Sequence, residues 1–103
     1  MQNETKINST EFIARGLLSR ELFIGANLEG YNNCVAFITR LEKLGLECYF
    51  LDNKSQTNFS DTLWFRCKNK KLSLSKDQFC ELMLLRPDEC SVTDDGFVRL
   101  WWD

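Results

Sequence analysis

The chain contains no histidine and a single proline, and its five glycines are scattered through 103 residues. Without imidazole it lacks the most frequent general acid–base catalyst and, having no Cys-x-x-Cys pair, it also lacks the usual zinc patterns. Scattered glycines build neither a P-loop nor a dinucleotide fingerprint. An excess of one charge is missing too: 13 Lys and Arg against 15 Asp and Glu leave a net charge of −2, too little to steer nucleic acid from a distance or to imitate it. No apolar run approaches a membrane span, and the polar start from Met1 to Thr10 lacks the apolar stretch of roughly 7–15 residues that a secretory signal needs. A cytoplasmic protein without membrane contact is expected.

The five cysteines, at positions 34, 48, 67, 80 and 90, are odd in number and evenly spread, which argues against a disulfide framework. Cys34, Cys48, Cys67 and Cys80 read as small buried hydrophobes. Cys90 follows Pro87-Asp88-Glu89, where acidic neighbours tend to raise a thiol pKa and suppress reactivity. The carboxylates Asp88, Glu89, Asp94 and Asp95 lack the alternating ligands and central glycine of a calcium loop, and read as a solvated acidic turn. No catalytic set, cofactor or metal site is expected, and the chain reads as a non-enzyme.

What the chain does have is 44% hydrophobic residues, enough for one packed core, so residues 1–103 are expected to form a single domain with a flexible stretch at 1–8. Asn8-Ser9-Thr10-Glu11 resembles a capping box opening a short helix, with Phe12, Ile13, Leu17 and Leu18 at helical spacing. Residues 21–28 alternate as a strand. Cys34, Phe37, Ile38, Leu41 and Leu44 mark one face of a helix that Gly45 ends in a left-handed cap. Strands are predicted at 46–52 and 61–68, joined by a polar connection too long for a tight hairpin. Ser75 to Gln78 supplies a second capping box, ahead of Phe79, Leu82, Met83 and Leu85, and Asp94-Asp95-Gly96 forms a turn before a last strand at 97–103. A helix followed by β-α-β-β-α-β matches the ferredoxin-like fold, an α+β domain with both crossover helices on one face of a four-stranded antiparallel sheet.

The strands carry bulky apolar groups on both faces. Alternation assigns Leu22, Ile24, Ala26, Cys48, Phe50, Leu63, Phe65, Cys67, Val98, Leu100 and Trp102 to the helix-facing side. Phe23, Tyr49, Leu51, Trp64, Arg66, Phe97, Arg99 and Trp101 then point the other way, toward a face that needs a cover. Three covers are considered: the chain's own N-terminal segment with Phe12, Ile13, Leu17 and Leu18, a protein partner or second copy, or single-stranded RNA stacked on the rings.

Leu22-Phe23-Ile24-Gly25-Ala26-Asn27-Leu28 resembles the first-strand motif of RNA recognition motif domains, with an aromatic second and Asn-Leu last. It is one residue longer than that motif, and the Gly- and aromatic-rich partner motif is absent from Asn58 to Lys68. An RNA-binding domain would use Phe23 and Trp64 as platforms and Lys68, Lys70 and Lys71 on phosphates.

The favoured reading is a non-catalytic module that binds another protein or a second copy of itself. It would act as an inhibitor, an immunity-type protein or a regulatory adaptor, through the aromatic and arginine face or the adjacent C-terminal edge. Phe23, Tyr49, Trp64, Arg66, Phe97, Arg99 and Trp101 are the candidate contacts, since Trp, Tyr and Arg dominate interface energetics.

Overall fold

Three helices and two sheets make up the described residues, which in this computed structural model are 4–25, 28–69 and 72–103. Ala26, expected in the core, and Lys70 and Lys71, expected on phosphates, lie outside them. The elements run β1 (Lys6–Asn8), α1 (Ser9–Arg15), β2 (Phe23–Ile24), β3 (Leu28–Glu29), α2 (Tyr31–Lys43), β4 (Leu46–Leu51), β5 (Phe59–Ser60), β6 (Thr62–Cys67), α3 (Lys76–Met83), β7 (Glu89–Val92) and β8 (Val98–Trp101).

The α+β class holds, but the four-stranded ferredoxin-like sheet does not. The main sheet has five antiparallel strands in the order β1-β4-β6-β8-β7, and a small second sheet has the order β3-β2-β5. The predicted strand at 21–28 is not in the main sheet. Gly25 takes φ +60, which stops β2 after Ile24, and the chain doubles back so that Phe23 pairs with Glu29 and Ile24 with Leu28. Glycine is required there twice over, because a Cβ at Gly25 would also sit 2.6 Å from Cδ2 of Trp102. Lys6–Asn8, expected to be flexible, forms the edge of the main sheet, with Ile7 opposite Phe50. At the far edge, β7 occupies residues expected to be an acidic loop.

Helices α1 and α3 start at their capping signals. Asn8 Oδ1 accepts from the Glu11 N–H at 2.9 Å and caps α1, while the Glu11 carboxylate turns to Arg15 at 3.6 Å. Helix α1 is shorter than its apolar spacing suggests: it ends at Arg15, leaving Leu17 and Leu18 54% and 98% exposed. Helix α2 buries Cys34, Phe37, Ile38 and Leu41, and Gly45 follows its end at φ +79. Ser75 and Gln78 form the full capping box of α3. The same Gln78 also donates from Nε2 to the Leu44 carbonyl at 2.6 Å, so one side chain both starts α3 and satisfies the C-terminus of α2.

Every described residue assigned by alternation to the helix-facing side is buried in one core. Phe12 from α1 stacks on Phe50 with ring centroids 4.3 Å apart. Each such large side chain withdrawn from water contributes about 1.5–3 kcal/mol. Trp102 closes the core from the C-terminal side, its indole N–H donating to the Leu85 carbonyl at 2.9 Å. The long connection after β4 is pinned as well: Arg15 bonds Asp52 at 2.7 Å, and the buried Ser60 hydroxyl donates to Thr62 O while accepting from Leu51 N.

Candidate binding surfaces

The second face of the main sheet holds the predicted contact residues Tyr49, Trp64, Arg66, Phe97, Arg99 and Trp101 together. Register explains this: Trp64 lies between Tyr49 on β4 and Arg99 on β8, and Trp101 stands opposite Thr62. Phe23 does not join them, since β2 belongs to the small sheet. The two rings expected to form an RNA platform, Phe23 and Trp64, therefore lie in different sheets.

The face is covered, though not by α1, whose Phe12 enters the opposite core. Its cover is a row of alternating cations and rings. The Arg66 guanidinium lies 4.4 Å from the Phe97 ring centroid. Lys6 Nζ stands 5.2 Å from Phe97 and 4.7 Å from Trp64, and Arg99 completes the row 5.9 Å from Trp64. Tyr49 meets Phe97 edge-on at 5.5 Å. Cations are drawn to the negative faces of the rings, and their aliphatic stems exclude water beneath them. Trp64 is consequently only 2% exposed and Phe97 6%, while Tyr49, Leu51, Arg66, Arg99 and Trp101 remain half-buried.

Each cation in the row also has a carboxylate. Glu47 binds Arg66 at 2.8 Å, Glu4 binds Arg99 at 2.6 Å, and Asp95 lies 3.7 Å from Lys6. The Glu47 hydrogen bond raises the Arg66 pKa further above its ordinary value. The Asp95 carboxyl is held below the usual range, first by the Thr93 hydroxyl and then by Lys6.

A second surface is more open. Leu72, Phe79 and Val92 are 62%, 40% and 77% exposed and line a cleft of about 510 Å³ whose floor includes Cys67 and Val98. Leu84, just past α3, is 71% exposed. Here the core face of the sheet runs out from under the helices. In sequence, Phe79 reads as core by its helical spacing with Leu82, and Val92 is hidden in the expected acidic turn. The signal for β7 is the alternation Glu-Cys-Ser-Val, which puts Cys90 and Val92 on the same side as Leu100 and Val98.

Among the cysteines, Cys34, Cys48 and Cys67 are buried as expected, whereas Cys80 is exposed. Burial pushes the Cys34 thiol up to about 12 and that of Cys48 well above its ordinary value, with Glu42 adding to the latter. The Cys90 pKa is also raised, by partial burial rather than by its acidic neighbours. Among the described residues, no group of three or more His, Cys, Asp or Glu is placed to hold a metal ion, and no helix is long and apolar enough to cross a membrane.

No protein-family model, curated protein or solved structure matches this chain.

Proposed function

We propose that this chain is a non-catalytic protein-binding module, acting as an inhibitor, an immunity-type protein or a regulatory adaptor in the cytoplasm. The observation that carries the reading is the cleft between α3 and β7, with Leu72, Phe79 and Val92 turned to solvent around it. Large apolar side chains gathered at one concave site, with a polar rim, are the usual composition of an interface core. The aromatic and arginine face supports the same reading more weakly, because its rings are already occupied by Lys6, Arg66 and Arg99. Base stacking on Trp64 would have to displace Lys6 and Arg99 from it.

The test compares two variants of the immobilised chain against proteins from its own host. Phe79→Ser combined with Val92→Ser should abolish specific retention of a partner, while Trp101→Ala should leave most of it. The reading fails if the cleft variant, shown by circular dichroism to be folded, retains the same partner as the parent chain.

A further inference from the structure

The sheet order ends at β7, so the outer edge of this strand is unpaired among the described residues. The Thr93 N–H donates to Phe97 O at 2.8 Å, which fixes the hydrogen-bonding phase of the β7–β8 hairpin. By antiparallel alternation, Ser91 exchanges backbone bonds with Arg99, while the N–H and C=O groups of Cys90 and Val92 point away from β8. The edge therefore offers backbone donors and acceptors in the register of one more strand. Neither a lysine nor a proline, two of the means of blunting an edge, lies within β7.

Side-chain chemistry narrows what fits. On the core face, Cys90 continues the row of Leu63 and Leu100, and Val92 continues that of Phe65 and Val98. Both stay exposed, Val92 at the lip of the cleft, so an added strand meets apolar neighbours on that side. On the opposite face β7 presents Glu89, and acidic residues flank the strand at both ends: Asp88 before it, Asp94 and Asp95 after it. Asp88 accepts from Asp103 N and Asp95 faces Lys6, whereas Glu89 and Asp94 are exposed and have no partner among the described residues. A second copy of β7 laid antiparallel would bring its acidic ends against these acidic ends, and like charges across strands repel.

Resting on the protein-binding reading, we propose that β7 is a strand-addition site for an extended partner segment in which apolar and basic residues alternate. The apolar residues would lie over Val92 and the cleft, and the basic ones beside Glu89. Backbone pairing supplies affinity, and the alternating side chains supply selectivity.

The probe is an acetylated, amidated hexapeptide of alternating Lys and Val, with an alternating Glu and Val peptide as control, titrated into the full-length labelled chain and followed by NMR and amide hydrogen exchange. The Lys peptide should slow exchange at the Cys90 and Val92 N–H groups by about tenfold or more and shift Phe79 in the cleft. The Glu peptide should do neither, and added salt should weaken the effect. Cys90→Pro, which removes an outward N–H without touching the β8 pairing, should abolish the protection. Should that variant fail to fold, Val92→Lys puts a like charge against the incoming strand and should do the same. Shifts in the cleft without protection of β7 overturn strand addition but leave the protein-binding reading standing. An equal response to both peptides, or none, overturns the proposal, as does protection that grows with chain concentration alone, which would identify a second copy.

Discussion

Over β4, β6 and β8 the two faces of the main sheet are both closed, by different chemistry. One is covered by α1 and α2 and is uniformly apolar, with Phe50, Leu63, Phe65 and Leu100 at zero exposure. The other is covered by single side chains from a three-residue edge strand and from the sheet itself, with Lys6, Arg66 and Arg99 laid over Phe97 and Trp64. A small domain has too few helices to cover both sides of a sheet. Charged side chains with long aliphatic stems can exclude water from a ring while keeping their heads hydrated. The first cover depends on shape and the second on charge.

The sharpest test of that difference is truncation on each side. Phe50→Ala should cost about 3–5 kcal/mol in urea unfolding, because the ring is fully buried and stacked on Phe12. Trp64→Ala should cost less, no more than the lower end of about 3–5 kcal/mol, since the cations above it can settle into the space and water can follow. Equal costs for the two would mean that the outer face is a second dry core, and the comparison would break.

Lys6→Met, which keeps the cover but removes its charge, should cost about 0.5–1 kcal/mol at low salt. That difference should shrink as salt is added, whereas the Phe50→Ala loss should not, and parallel salt titrations would show it. The smallest expected effect lies in acid. Because the folded chain holds the Asp95 pKa below its ordinary value, ionised Asp95 favours folding above the ordinary carboxylate range, and that contribution is lost as pH falls through the lowered value. Asp95→Asn should therefore differ from the parent chain at neutral pH and converge with it in acid, while Phe50→Ala should show no such convergence.

What was legible in the sequence follows from how each signal is encoded. Caps and periodicity are local, so α2, the capping box at Ser75 and the division of β4, β6 and β8 into two faces could be read directly. The place of a strand in a sheet is not local. Lys6–Asn8 has one buried side chain, Ile7, and three residues give no period to detect. Residues 21–28 show good alternation, yet the left-handed backbone at Gly25 ends β2, Phe23 and Ile24 pair in a separate sheet, and only the neighbouring Trp102 reveals why. Most of the predicted face was assembled from the residues named for it, and its cover does draw on the N-terminal segment, but through Lys6 and Glu4 rather than Phe12, Ile13, Leu17 and Leu18, because an ion pair such as Glu4–Arg99 has no signature in spacing. The cleft was missed because exposed Val92 and buried Val98 look alike in a sequence.

The Glu4–Arg99 contact joins residues 95 apart, with hydrogen bonds of 2.6 and 3.2 Å. Closing so long a loop is entropically unfavourable until the sheet between the two residues exists, so this clasp is expected to form late in folding. An interaction absent from the transition state leaves the refolding rate unchanged and slows unfolding. Glu4→Ala should therefore raise the unfolding limb of a chevron plot and leave the folding limb in place, which makes the outer-face clasp a determinant of how long the folded chain persists rather than of how quickly it forms.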